Sequence, residues 1–504
     1  MMNKARNHNI MKRICSVTMI IVVAKLLGFI KQMIMAGTFG ATIETDLIML
    51  SQNLIGHLDY LLVQVFSTSF IPIYIRISQK SEEESNAFVL NVLKIMTLIS
   101  MILSIALVIG APIISRVLAS SYSDELIRRL TVYIRIYSPT LILMVVSAVF
   151  NALLKARERF NHGEFASVLQ SLVVISISLM VGKKFGAIAL MLSFWVYQIV
   201  SIWFFASSAK GEWKKVGKTS LIDDNIKSLV KVSGPLLLGY SMIFINQYVD
   251  QIIVSGLGDG AITSLGYAAV LINLITTLVG SVCVVIFTYV SKHIAAKDNK
   301  QAADLIIKAS VLFTTLLIPV SLIFIFYSKD IISIVFARGA FSETAVNYAS
   351  AALSGYGVCI VFLAYRELFS RFQYAYLDSK QPMINTSIGI VFNIGLSIAL
   401  SRVIGILGVT IATSCSVIIC AVLNIVKSKK HNIYIRNIIF RREAILWIVG
   451  GMISIFVSNN LRNLLSDLGL YICFFVSSIV CILLFALINM PTIMKMIKSI
   501  KQSG

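Results

Sequence analysis

Charge is what this sequence has least of. Asp, Glu, Lys and Arg make up 13% of its 504 residues, about half of the roughly 25% found in ordinary globular proteins. With 58% hydrophobic residues and a mean hydropathy of +0.87, that scarcity excludes a water-soluble domain and implies an all-α polytopic membrane protein. Motifs that carry chemistry are lacking too: there is no Walker A loop, nucleophile elbow or HExxH helix. The loops are short and hold no surface cluster of acids and histidines, so no catalysis, cofactor or resident metal is expected. The seven cysteines (Cys15, Cys283, Cys359, Cys415, Cys420, Cys473, Cys481) lie almost wholly in apolar stretches without CxxC spacing. They read as small packing residues, not as a disulfide frame or a zinc site. The N-terminal apolar run is too long for a secretory signal and no small-residue cleavage site follows it, so it is expected to be a retained first helix.

What the chain does have is about fourteen apolar stretches long enough to cross a bilayer, beginning with 14–36 and 46–75 and ending with 443–459 and 468–490. The net charge of +21 would suit a nucleic-acid partner only if the basic residues were gathered on one face. They alternate along the chain instead, clustering at 4–13, 155–159, 210–218, 292–300, 427–442 and 495–501, while 37–45 and 255–263 have none. Loops on one side then carry roughly 26 Lys and Arg against roughly 9 on the other, the positive-inside asymmetry. Both termini are accordingly placed in the cytoplasm. The basic excess is assigned to topology and anionic membrane lipids, with no nucleic-acid partner expected.

The chain also resembles itself at an offset of about 218–222 residues, as transporters built from repeats do. Residues 37–55 align with 255–275, pairing Gly40 with Gly258 and Asn53 with Asn273. Residues 113–125 align with 331–345, and 183–190 with 402–412 around Gly186 and Gly408. Each copy holds about six spans, an even number, so the two copies keep one orientation and are related by an axis along the membrane normal. The expected organisation is a six-helix lobe at 1–215, a second at 216–430, and a basic linker with two extra helices at 431–504. The join falls in the polar stretch 210–224.

Charges inside apolar spans cost about 2.5–3.5 kcal/mol each at the bilayer centre and need a reason. In VVAKLLGFIKQ (22–32), Lys25 and Lys31 lie about 120° apart on a helix, with Gly28 between them. They can border a wide cavity or bracket a ligand, although Lys31 could also snorkel to an interface. The corresponding helix of the second copy has Gln247, Asp250 and Gln251 instead. Cations in the first lobe alone suit an anionic substrate such as a diphosphate. Span two carries Asp46 at its start, then His57 and Asp59 about 200° apart near its middle. For Asp59, an ion pair with a lysine and a gating or proton-coupled role are both open, and His57 can be a packed neutral histidine. Further on, AYRELFSRFQYAYLDSKQP (364–382) sets Arg366, Glu367 and Arg371 close together, as an interface anchor or a basic access site for a lipid head group.

Taken together these stretches resemble the MurJ/MviN-type lipid II flippases of the multidrug/oligosaccharidyl-lipid/polysaccharide exporter superfamily. The resemblance rests on AKLLGFIKQ followed by FGATIETD, on TSFIPIY (68–74), DQIIVSGLGDGAITSLGYAAVL (250–271), FARGAFSETA (336–345) and YRELFSRFQYAYLDSKQP (365–382). It implies a fourteen-helix exporter with a cationic cavity for a lipid-linked glycan, and a groove for the prenyl tail on the two extra helices. Lys25 and Lys31 stand where the family commonly has arginines, and Asp46 matches its acidic residue at the start of helix two. The sequence departs from the family where a basic pair is usual in helix two, here Leu58 and Asp59, and where Tyr-Ala-Asp-Arg is usual in helix eight, here Tyr267, Ala268, Ala269 and Val270. Lysine also lacks the bidentate fork of arginine.

The expected activity is alternating-access movement of a polyprenyl-diphosphate-linked glycan, foremost lipid II, across the bacterial cytoplasmic membrane. Lys25 and Lys31 hold the diphosphate, and Asp46, Asp59 and Asp250 serve gating or ion coupling. Cell-wall synthases are the candidate protein partners. Rival readings are a flippase for another lipid-linked oligosaccharide, a cation-coupled drug or solute antiporter using Asp59 and Asp250, a membrane-embedded glycan-modifying enzyme, and a scaffold for cell-wall synthases.

Overall fold

The computed structural model describes residues 2–157, 159, 161–210, 224–431, 433–434, 438 and 443–501. Most of the expected join at 210–224, and much of the basic linker at 427–442, lie outside the described residues. Among the described residues the regular structure is helical throughout. The helices form two compact units, Met1–Thr263 with Arg338–Phe341, and Ser264–Ala337 with Ser342–Gly504.

In the first unit, α1 (Met2–Phe39), α2 (Ile43–Ser78), α3 (Glu82–Leu118), α4 (Asp124–Tyr137), α5 (Thr140–Ala156), α6 (Asn161–Phe185), α7 (Ile188–Ser208) and α8 (Asp224–Ser255) follow in order. Their starts are written in the sequence. Thr42 and Thr45 make a capping box before α2. Ser81 accepts from the Glu84 N–H at 3.2 Å, and Glu82, Glu83 and Glu84 sit in the first turn of α3 at the positive end of its dipole. The break between α4 and α5 falls at Ser138 and Pro139, where proline has no N–H to continue the ladder. α2 packs on α3, α4, α5 and α8, while α1 packs on α6. The core between α2, α3 and α5 is aromatic: Phe70 stacks on Phe88 at 5.5 Å, among Phe66, Val92, Val149 and Leu153.

The second unit continues through α9 (Ala261–Ala295, whose first turn belongs to the first unit), α10 (Asn299–Phe326), α11 (Ser328–Phe336), α12 (Glu343–Gly357), α13 (Ile360–Ala375) and α14 (Lys380–Lys427). It ends with α15 (Glu443–Leu464), α16 (Leu470–Ile488) and α17 (Met490–Lys501). Its core joins Phe313 of α10, Tyr365, Phe369 and Phe372 of α13, and Ala421 and Ile425 of α14. α14 is 48 residues long, about 72 Å at 1.5 Å per residue and more than twice the ~30 Å hydrocarbon thickness. Its helical backbone breaks at Ile404 and Gly405, where φ is −127° and +59°. A β-carbon on Gly408 would lie 2.4 Å from the Leu400 carbonyl, so the close approach beyond the break needs glycine there.

Ten helical stretches among the described residues are long and apolar enough to cross a membrane, or eleven if the α12–α13 pair, bent by 50°, is one span. α3 leaves Ile102, Ile105, Ile109 and Ile113 exposed, at 52–73%, on one helical face. An apolar stripe of this kind is what hydrocarbon covers. Interiors use small and polar residues instead: Asn385 donates to Asn424 at 2.6 Å, and Gln373 donates to the Asn424 carbonyl at 3.0 Å.

Candidate functional site

The site begins on α1. Lys25 is exposed and Lys31 half-buried, and a β-carbon on Gly28 between them would meet nothing within 4 Å. The side of α1 that carries Gly28 is therefore open. α1 is held instead through α6, where Gly182 admits Thr38 and Phe39: a β-carbon there would lie 2.6 Å from Thr38. Among the described residues neither lysine has an ion-pair or hydrogen-bond partner, and neither meets Asp59.

Asp46 lies elsewhere, at the start of α2. It is fully buried, and its carboxylate accepts the Gly260 N–H at 2.8 Å and the Thr263 N–H at 2.7 Å. It thereby caps the start of α9 from the start of α2. The neighbouring Thr263 hydroxyl donates to Thr45 Oγ1 at 3.2 Å. Glu44, in the same turn, pairs with Arg129 and accepts the Tyr133 hydroxyl at 2.8 Å.

Three glycines with positive φ complete this junction: Gly40 (+67°), Gly260 (+80°) and Gly339 (+58°). A β-carbon on each would lie 2.3 Å from the Ala340 carbonyl oxygen, 2.3 Å from that of Ala41 and 2.1 Å from that of Gly37, respectively. The Ala340 N–H donates to the Gly37 carbonyl at 2.8 Å. Backbone thus crosses backbone at van der Waals distance, which only glycine permits. The pattern is reciprocal between the two sequence copies: residue 37 of the first meets residue 339 of the second, and Gly256 of the second meets Ser121 of the first. Gly260, Thr263, Gly339 and Glu44 were not singled out from the sequence. The ARGAF stretch and the Gly40–Gly258 match were the signals that pointed here.

The remaining expected residues are dispersed. His57 is packed, stacked on Phe244 at 4.6 Å and edge-on to Tyr248 at 5.1 Å, both on α8. Asp59 lies near Tyr197 of α7 and has one buried carboxylate oxygen without a hydrogen bond. Asp250 is buried on α8. In the second unit Glu367 and Arg371 form an ion pair at 2.6 Å, one turn apart on α13, and Arg366 is half-buried beside them. Beyond α13, Asp378 pairs with Lys430 at 2.6 Å, and this bond holds its carboxyl below the usual aspartate range.

Within the second unit, the last helices are fastened to the ones before them. Arg462 of α15 makes a bidentate pair with the buried Asp330 of α11 at 2.7 and 2.8 Å, and its guanidinium lies over the Tyr327 ring at 5.8 Å. The Tyr327 hydroxyl bonds Ser458 Oγ at 2.7 Å. No cluster of three or more His, Cys, Asp or Glu suited to a metal occurs among the described residues.

The fold has solved counterparts. A structure described as lipid II flippase MurJ in an inward closed conformation matches with a TM-score of 0.80 at 22% identity, covering 96% of this chain and 100% of that one. An inward-facing multidrug resistance MATE family transporter of the MOP superfamily matches at 0.64 with 16% identity, over 81% of this chain and 94% of that one. Fold and apolar helices together define a polytopic membrane protein with the fold of these two structures. The sequence is more specific: the family model for lipid II flippase MurJ matches residues 35–495, and the chain belongs to that family. The probable lipid II flippase MurJ of Rickettsia prowazekii (strain Madrid E) is 24% identical over 404 residues, 78% of each chain. The protein is therefore a multi-pass protein of the bacterial inner membrane, of a family of flippases and not of catalysts.

Proposed function

We propose that this chain moves lipid II from the inner to the outer leaflet by alternating access, with its diphosphate held by Lys25 and Lys31. The observation that carries this reading is Lys31: a half-buried cation on an apolar helix, with no counter-ion among the described residues. A buried charge left unpaired is costly, and an anionic ligand would supply the missing partner. The open side at Gly28 leaves room for it.

The same reading takes the chain as fourteen spans with both termini cytoplasmic. It counts α4–α5 and α12–α13 as one span each and the halves of α14 as two. The spans form two six-helix lobes, with α15 and α16 outside the repeat as a place for the prenyl tail. The Asp46 junction then lies at the outer face and closes it, and Arg366, Glu367 and Arg371 lie towards the cytoplasmic end of α13. Two negative charges moving outward gain about 4.6 kcal/mol per 100 mV of inside-negative potential, at about 2.3 kcal/mol each. Cell-wall synthases would consume the delivered glycan.

The test is the amount of lipid II on the outer face of cells that have this chain as their sole flippase. Lys25→Ala and Lys31→Ala should each abolish that exposure while the protein stays inserted and folded. Normal exposure in both variants overturns the assignment. Asp59, with its unbonded buried oxygen, supports a second reading in which transport is coupled to a cation. Asp59→Asn should then remove the dependence of transport on the ion gradient, and an unchanged dependence excludes that role.

A further inference from the structure

α3 carries a proline inside it, Pro112. Proline has no N–H, so the carbonyl four residues earlier, that of Val108, loses its helical donor. Among isoleucines that face hydrocarbon no water takes the donor's place, and the freed carbonyl needs another partner. It finds one on the next helix, where Arg135 Nε of α4 donates to the Val108 carbonyl at 3.2 Å. One turn nearer the start of α4, Thr131 Oγ1 and Ser115 Oγ are hydrogen-bonded at 3.0 Å in a buried setting. α4 thus grips α3 on both sides of the proline, at Val108 before it and at Ser115 after it.

The second sequence copy has the same arrangement in another form. Residues 331–336 align with 113–118, and just before them the helix is interrupted at Tyr327, between α10 and α11. Ser354 of α12 donates to the Ile325 carbonyl at 3.1 Å. Ser354 and Ile325 follow Arg135 and Val108 by 219 and 217 residues, close to the repeat offset. The copies differ in what holds the stretch beyond the break. Asp330, which stands where the first copy has Pro112, is gripped by Arg462, and the Tyr327 hydroxyl is bonded to Ser458. The stretch of α3 beyond Pro112 instead leaves Ile113 and Val117 71% and 57% exposed.

We propose that α3 hinges at Pro112 and that Arg135 latches this hinge, so that the break in the first unit can be released while that in the second, clasped by Arg462, cannot. Arg135 is exposed, between the exposed Val132 and Ile136, and holds α3 by a single contact. A long side chain of this kind can let go without moving its own helix. Ser354 is short and half-buried, and its bond breaks only if α10 and α12 separate. Once Arg135 lets go, the part of α3 beyond Pro112 turns about the kink. The inference rests on the transport reading only for what that motion serves.

The experiment follows amide hydrogen exchange of the full-length protein in phosphatidylcholine nanodiscs, in peptides covering 113–122 and 328–337. The amide nitrogen of glutamine follows Cβ, Cγ and Cδ, as arginine Nε does, so Arg135→Gln keeps the donor and loses the charge, whereas Arg135→Met loses both at similar length. Exchange in 113–122 should rise about tenfold in Arg135→Met, the effect of leaving one carbonyl without its donor, and by less than about twofold in Arg135→Gln. In Pro112→Ala the new N–H takes the Val108 carbonyl, so adding Arg135→Met should change exchange by less than about twofold. Ser354→Ala should leave 328–337 within about twofold of the parent, because Arg462 still holds Asp330. Unchanged exchange in Arg135→Met, or the same rise on top of Pro112→Ala, overturns the latch. Equal rises in Arg135→Gln and Arg135→Met assign Arg135 to a charge interaction, such as one with a lipid phosphate, and overturn it too. A rise of about tenfold in 328–337 of Ser354→Ala overturns the difference between the units.

Discussion

Asp46 offers a sharp test, because its two roles, helix cap and titrating group, predict different orders of damage. Its carboxylate receives two backbone N–H groups at 2.8 and 2.7 Å in a fully buried setting. A hydrogen bond to a charged group contributes about 1.5–3 kcal/mol net, and an orphaned buried donor costs about 1–3 kcal/mol. Asp46→Asn keeps one carbonyl acceptor and gives up the charge at the α9 dipole, so local opening should become easier by about 1–2 kcal/mol. Asp46→Ala strands both donors, which should cost about 3–4 kcal/mol. Amide hydrogen exchange of a peptide covering 258–266 reads this directly, since each 1.4 kcal/mol is tenfold. Exchange should accelerate roughly tenfold in the asparagine variant and more than a hundredfold in the alanine variant. Unchanged exchange in Asp46→Ala would refute the capping argument. If transport in Asp46→Asn falls as far as in Asp46→Ala while exchange ranks as stated, the carboxylate has a titrating role in addition to its cap.

Gly339→Ala should destabilise the first unit by about 2 kcal/mol or more, because φ is +58° and the new β-carbon meets the Gly37 carbonyl at 2.1 Å. Gly28→Ala, with open space around it, should be neutral or stabilising by up to about 1 kcal/mol, and thermal unfolding of the two variants in detergent separates them. Arg462→Ala leaves Asp330 buried and unpaired; with the arginine itself 35% exposed, the cost should be about 2 kcal/mol, between the surface and buried limits. Faster proteolysis between α15 and α16 would report it, and an unchanged rate would count against the clasp. Asp378 has a depressed folded value, so its bond to Lys430 stabilises above the unfolded aspartate value of about 3.9 and is lost as pH falls through the folded one. Asp378→Asn should therefore lower stability at neutral pH by no more than about 1 kcal/mol, with the difference from the parent vanishing in acid.

The membrane class, the helical character and the family were legible because each is spread over many residues: hydropathy over whole spans, and the resemblance over several separated stretches. The repeat is read from the sequence alone, and residue matching does not tell what each matched glycine does. The sequence aligned Gly186 with Gly408, whereas the glycine that shares the positive φ of Gly186 (+55°) is Gly405 (+59°), at an offset of 219 residues. Gly408 has a separate duty, the close approach to Leu400. Two glycines within one turn-and-helix stretch look alike to an alignment, and only backbone geometry tells a turn from a contact.

Asp46 shows the same limit for side chains. Its place at the start of a span marks it for gating or coupling; the Tyr122 hydroxyl donates to it at 3.5 Å, but its two shorter bonds come from backbone N–H groups more than 210 residues away, and backbone donors leave no trace in residue identity. Lys25 and Lys31 are the opposite case: their signal in the sequence was the conflict between a charge and an apolar helix, and the fold leaves that conflict standing, without a partner from the described protein. A conflict of this kind that survives folding is where a ligand is most economically sought, because natural sequences otherwise resolve local inconsistencies. Asp330 and Arg462 illustrate the resolved kind, since both charges in apolar surroundings find each other at 2.7 Å and in doing so fasten α15 to α11 within the second unit.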